Sequence, residues 1–236
     1  MLRFDIDMCQ GEISVEYMYG DGMSEQAVGL RELKKRQTRE NISNQATRLF
    51  LERGFDNVTI AEVAAAAQVA KMTVTNYFPR KEDLALDTHE LFVQSPARTV
   101  RERRPGESAL AALRDAYLAA VAGHDPIIGF SGPRFARMIV ESPALVARLR
   151  EFHDDREKAL AAVLAEETGA GPDDITPRVA AVQLSGVLRL LFEETLRRTL
   201  DGHDDEEIAQ VIAGYARTAF GALEPSLAGY AARPAR

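Results

Sequence analysis

Residues 59–81, TIAEVAAAAQVAKMTVTNYFPRK, constrain the fold more than any other part of the chain. Thr59 stands at an N-cap position with Glu62 three residues on, so hydroxyl and carboxylate can each satisfy the other's backbone amide, and Val58 and Val63 are placed as a hydrophobic staple. Ile60, Val63, Ala64 and Ala67 then recur at helical spacing, while Ala61 and Ala65 are small enough for a second helix to approach closely. After the turn Gln68-Val69-Ala70, Val74 and Phe78 are four apart and point one way. Lys71, Met72, Thr75, Asn76 and Tyr77 point the other. Pro79 stops this second helix, and Arg80-Lys81-Glu82-Asp83 opens the next with acidic residues suited to a helix N-terminus. Two short helices about a tight turn, the second polar on one side, form a helix-turn-helix. On periodicity alone such a hairpin is more often a packing unit than a reader of DNA.

The pattern resembles the DNA-binding domain of the tetracycline-repressor (TetR) family of bacterial transcriptional regulators over roughly residues 35–90. The matching residues are Ala46, Leu49, Phe50, Gly54 and Phe55; Thr59, Ile60, Val63 and Ala64; and Val69, Thr73, Val74, Tyr77, Phe78, Lys81, Glu82 and Leu84. Three positions depart from it. Gln68 stands where the turn usually has Gly, so it must avoid a positive φ or tolerate one at a cost; Ala70 replaces the usual Ser or Thr cap; Thr75 replaces a common Tyr, which puts the base contacts in question. The resemblance implies an all-α protein: an N-terminal three-helix, homeodomain-like helix-turn-helix domain followed by a helical ligand-binding and dimerisation domain. It further implies a homodimeric repressor, released from a double-stranded DNA operator by an unknown small-molecule effector. Lys71, Met72, Thr75 and Asn76 are then the base-edge candidates. Lys35, Arg36, Thr59, Thr73, Tyr77 and Lys81 are the phosphate candidates, which position without specifying.

A net charge of −7 argues against a nucleic-acid binder until its distribution is considered. Residues 1–30 carry −5, residues 31–104 carry +4 and residues 105–236 carry −6, so positive charge is concentrated around the helix-turn-helix. No apolar run is long enough to span a bilayer and no secretion signal is evident, which predicts a cytoplasmic protein without a membrane partner. A single cysteine, Cys9, excludes an internal disulfide.

In chain order, residues 1–30 show no sustained pattern and read as an extension, with translation expected to start at Met23. The DNA-binding domain with its linking helix occupies 31–94: one helix over 33–53 ending at Gly54, the helix-turn-helix, and a helix over 81–94. Pro96 and Pro105-Gly106 bracket a linker, 95–106. A helical bundle follows over 107–224, with helices expected at 109–121, 133–140, 143–167, 177–200 and 205–223, and then a tail, 225–236. The last two helices carry apolar residues on more than one face. The resemblance pairs them with their copies across a two-fold axis, nominating Val187, Leu191, Ile208, Val211, Ile212, Tyr215 and Ala219 for the interface.

Within the bundle, Tyr117, His124, Arg137, Phe152, Gln183 and Arg189 are the polar or aromatic groups nominated for an effector pocket. Arg189 draws attention because an unpaired guanidinium in an apolar helix is costly, although Glu193 is placed to pair with it. The rival reading is a helical small-molecule-binding protein or enzyme whose helix-turn-helix only packs. The sequence offers no phosphate-binding glycine loop and no nucleophile elbow, and none of His89, His124, His153 and His203 forms a pair at metal spacing, so no enzyme activity, metal or cofactor is expected.

Overall fold

A computed structural model describes residues 2–6, 13–17 and 30–234, with side chains from residue 32 onward. From residue 30 on the chain is helical: α1 Leu30–Arg53, α2 Ile60–Ala66, α3 Lys71–Tyr77, α4 Lys81–Ala85, α5 His89–Glu102, α6 Ala109–Ala122, a 3₁₀ turn Pro126–Ile128, α7 Pro133–Glu141, α8 Pro143–Thr168, α9 Thr176–Leu200 and α10 Asp205–Leu227. The all-α body is as the sequence predicts. The extension corrects the reading of 1–30 as patternless. Strands β1 Leu2–Ile6 and β2 Ile13–Tyr17 pair antiparallel, with Leu2 opposite Tyr17 and Ile6 opposite Ile13. LRFDI and ISVEY do alternate, but five residues of alternation are weak evidence until a partner strand supplies the hydrogen bonds. Cys9 and Met23 lie outside the described residues.

Two compact units make up the chain, Met1–Asp87 with Arg137–Val146, and Thr88–Ala136 with Ala147–Arg236. In the first, Ile42, Ala46, Leu49 and Phe50 of α1 are buried with Val63, Val74, Phe78 and Leu84. The Phe50 and Phe55 rings meet at 5.0 Å across the turn that follows α1. Asn41 of α1 donates to the Ala67 carbonyl at 3.0 Å, capping the end of α2 from a neighbouring helix.

The single helix expected over 81–94 is broken after α4. Asp87 is the cause: its carboxylate accepts from Ser43, and its carbonyl accepts from Arg39 at 3.1 Å. These bonds to α1 hold the backbone out of helical geometry. Residues 95–102 of the expected linker instead belong to α5, which carries Pro96 in its interior.

In the second unit α10 packs along both α6 and α9, around a core that includes Leu110, Leu113, Leu160, Leu164, Leu184, Leu191, Ile208, Ile212 and Phe220. Side-chain caps start its helices: Ser108 accepts from Ala111 N–H at 3.2 Å and Asp204 from Glu207 N–H at 2.8 Å. Gly129, at φ +112°, ends the 3₁₀ turn against α9. A Cβ there would stand 3.0 Å from Thr195 Cβ, so both the backbone angle and the close approach require glycine. The C-terminal segment is tied back by a two-bond bridge, Gly106 N–H to Arg233 O at 2.7 Å and Arg233 N–H to Glu107 O at 3.0 Å.

Candidate nucleic-acid interface and effector cavity

The helix-turn-helix is locally specified at its start. Glu62 accepts from Thr59 N–H at 2.8 Å while Thr59 Oγ1 accepts from Glu62 N–H at 3.3 Å, a capping box, and these bonds hold the Glu62 carboxyl below its ordinary pKa. Its turn is a Schellman motif: Val69 N–H donates to Ala64 O at 3.0 Å and Gln68 N–H to Ala65 O at 3.2 Å. Gln68 takes φ 57°, so glutamine occupies the left-handed position that the sequence pattern reserves for glycine. Ala70 makes no side-chain cap bond, and α3 begins on the turn's backbone geometry alone.

On α3, Val74 is fully buried and Phe78 follows in the core. Lys71, Met72 and Asn76 are exposed, Met72 at 70%. An apolar thioether that far into solvent, on a helix otherwise anchored by two core residues, has no packing role in its own unit. Thr75 is half-buried and its hydroxyl donates to Met72 O at 3.1 Å, leaving oxygen lone pairs but no free proton. Among the phosphate candidates, Lys35, Arg36 and Thr59 are exposed, and Thr73 and Tyr77 are half-buried. Lys81 differs: its ammonium donates to Phe55 O at 2.6 Å and lies 4.2 Å from the Phe55 ring centroid, and burial lowers its pKa. One of its three protons already holds the α1–α2 connection.

The second unit contains a cavity of about 70 Å³ against α5, α6, α8, α9 and the 3₁₀ turn. Of the six pocket nominations only Tyr117 lines it. Arg137 belongs to the first unit and is exposed; Phe152 is buried elsewhere, stacked on His89 at 5.3 Å and with the Arg148 Cζ 4.4 Å from its ring centroid. His124, at φ 49°, stands 3.8 Å from Glu206; Gln183 is half-buried outside the lining; Arg189 is exposed, so the costly buried guanidinium is not there. It is Arg156, 5% exposed and in the cavity wall. Sequence reasoning passed over it because REFHDDREK reads as a solvated charge run, although Phe152, Arg156, Leu160 and Val163 share one helical face.

Arg156 donates to His153 Nδ1 at 2.9 Å and its Cζ lies 4.5 Å from the Phe92 ring centroid. His153 sits between Phe92 and Phe192, edge to face with each at 5.1 and 5.5 Å. Burial, with Arg156 second, pushes its pKa down to about 3, so the ring is neutral and Nδ1 accepts. Burial likewise brings Arg156 down to about 10 and raises Tyr117, leaving the one charged and the other protonated near neutrality.

The interface nominations divide. Leu191, Ile208 and Ile212 are buried within their own unit and correct the expectation: they are core. Val187, Val211 and Ala219 are half-buried, and Tyr215 is 45% exposed. The apolar residues that α9 leaves uncovered are Val179, Val182 and Leu190, on a strip completed by Gly186. Among the described residues no helix is long and apolar enough to cross a membrane, and no three His, Cys, Asp or Glu side chains converge as a metal site.

Two family models match the chain: bacterial regulatory proteins, tetR family, over residues 42–88, and the MftR C-terminal domain over residues 107–228, which is more than half of its 236 residues. The chain belongs to the TetR family. It is 28% identical over 173 residues to the HTH-type transcriptional regulator TcmR of Streptomyces glaucescens, covering 70% of this chain and 76% of that one. Among solved structures, a TetR-family transcriptional regulator from Syntrophomonas wolfei superposes with TM-score 0.53 at 17% identity, over 79% of this chain and 96% of that one. NalD, the secondary repressor of the MexAB-OprM efflux pump in Pseudomonas aeruginosa, gives TM-score 0.50 at 21% identity, over 83% and 98%. At these identities the structures share the fold. This TetR-family protein is a DNA-binding transcriptional regulator with a helix-turn-helix N-terminal domain and a helical C-terminal domain.

Proposed function

We propose that the protein is a cytoplasmic homodimeric repressor, without enzyme activity of its own, whose operator binding is relieved when a small molecule enters the cavity of the second unit. The observation that carries the DNA-reading part is the uncovered face of α3, Lys71, Met72 and Asn76, on a helix pinned by Val74 and Phe78. Two such helices, one per protomer, would enter successive major grooves about 34–36 Å apart. Asn76 suits bidentate contact to adenine, Lys71 to guanine, and Met72 the thymine methyl, with Thr75 limited to accepting. Lys35, Arg36, Thr59, Thr73 and Tyr77 would hold phosphates, and Lys81 would do so only with the protons that Phe55 leaves free. The strip Val179, Val182, Gly186 and Leu190 of α9, with Tyr215 of α10, supports pairing between copies.

Relief by ligand is supported by the position of α5 in the sequence. Phe92, Ser95, Pro96 and Thr99 line the cavity, and α5 continues directly from the Asp87 break that ends α4. Reshaping α5 would be felt at that break. A coupling of about 1–3 kcal/mol would change operator affinity by roughly 5- to 150-fold.

The test is fluorescence anisotropy on duplex from the protein's own upstream region against random duplex, at ~150 mM salt. Selective binding with two protomers per site supports the reading, and equal weak binding to both duplexes refutes it. Asn76→Ala should weaken the cognate duplex selectively, whereas Lys35→Ala should weaken both and flatten the salt slope by about 1.

A further inference from the structure

Resting on the reading that this unit holds the effector, we propose that the effector is an organic monocarboxylate with a compact apolar body, its anionic end taken by Arg156 and Tyr117. Both side chains are more than nine-tenths buried, and both line the same cavity. The protein's own groups leave them incompletely satisfied. Arg156 carries five N–H donors; one nitrogen meets His153, the face lies on Phe92, and Nε has no hydrogen-bond partner. The Tyr117 hydroxyl lies near Thr195, whose own proton goes to the Leu191 carbonyl, but makes no hydrogen bond of normal geometry. Among the described residues no carboxylate pairs with Arg156: His153 is neutral, Arg189 repels the guanidinium, and Asp125, in the same lining, accepts from the Ile127 N–H. A buried charge is retained against its desolvation only where pairing offsets it. Here an anion from outside would be the pair.

The rest of the lining sets the class further. Leu113, Ile127, Ile128, Leu188 and Phe192 offer an apolar body its contacts. A single buried guanidinium matches one negative charge, with the planar fork that a carboxylate meets in two parallel bonds. Asp125 in the same lining would repel a second, which disfavours phosphate dianions.

The experiment uses the full-length protein, calorimetry and three matched probes small enough for a cavity of about 70 Å³: propanoate, propanamide and propylamine. The acid should bind at least about tenfold more tightly than the amide, and the amine not at all. Arg156→Gln should reduce the acid to the amide's affinity, while Arg189→Gln, altering an exposed side chain, should leave the preference in place. Should Arg156→Gln fold poorly, Tyr117→Phe keeps the ring and removes only the hydroxyl, and it should weaken the acid alone, by about two- to fivefold. Equal affinity for acid and amide, an acid preference surviving both substitutions, or no acid binding at millimolar concentration overturns the proposal. Operator anisotropy on the same sample separates the two levels. Selective operator binding released by the amide or amine leaves the effector-site reading standing without the carboxylate, whereas the absence of selective operator binding removes the reading beneath it.

Discussion

Gln68→Gly should stabilise the protein, and three of its other helix ends supply the controls. α2, α6, α8 and α9 each close with the same wide backbone bond, Val69 N–H to Ala64 O, Asp125 to Ala120, Ala170 to Ala165 and His203 to Arg198. The left-handed residue is Gly169 or Gly202 in two of them, at φ 65° and 88°, but Gln68 and His124 in the others, at φ 57° and 49°. A side chain in this region costs about 1–2 kcal/mol through the clash of Cβ with the following carbonyl oxygen. Glycine removes that strain and loses about 0.5–1 kcal/mol more backbone entropy on folding. Gln68 is exposed, so no packing is lost, and the net gain should be about 0.5–1 kcal/mol. For a chain of this size that is roughly 1–4 °C in Tm. The reverse change, Gly202→Gln, should cost a similar amount, because a Cβ there meets nothing within 4 Å and only the backbone angle is at issue. Paired urea and thermal melts measure both, with operator affinity as a check that α3 has not moved. A Gln68→Gly protein no more stable than its parent, beside an unaffected Gly202→Gln protein, would refute the reasoning.

Three further outcomes are expected. His153 is pushed down to about 3 against an unfolded value near 6.5, so the unfolded chain binds the extra proton and stability falls as pH drops through that window. The loss should reach about 1–2 kcal/mol between pH 7 and 5, and His153→Gln should show a correspondingly flatter urea-midpoint profile. Arg103, 3% exposed, donates to Glu167 at 2.6 Å and to Ala231 O at 3.1 Å. Arg103→Ala should therefore cost about 3 kcal/mol and speed hydrogen exchange in residues 228–233, a selective change that mass spectrometry would detect. Leu190→Glu, on the uncovered strip of α9, should convert a dimer to a monomer in analytical ultracentrifugation at unchanged helical content, and a dimer that persists would place the interface elsewhere.

What the residues determine locally was legible. Thr59 and Glu62 dictate the start of α2, Val74 and Phe78 fix which side of α3 is left for a partner, and the proline and glycine punctuation places α6 through α10 to within a few residues. Each is a bond or period closed within about one helical turn, so neighbours in sequence suffice. The rest needed partners remote in sequence. Whether residues 81–94 were one helix or two depended on Ser43 and Arg39 reaching Asp87 from α1. Lys81 reads as a free basic residue until the Phe55 carbonyl is brought beneath it. Leu191, Ile208 and Ile212 became core rather than interface because α6, α9 and α10 cover them. Arg156 and Arg189, alike in sequence as charges on helices with apolar faces, parted company for the same reason: one faces Phe92 and His153 from inside the unit and the other faces water. A sequence carries the period of a helix but not its rotation against neighbours, and that rotation, settled by the packing of the whole, decides which charge is buried and hence which can recognise a ligand.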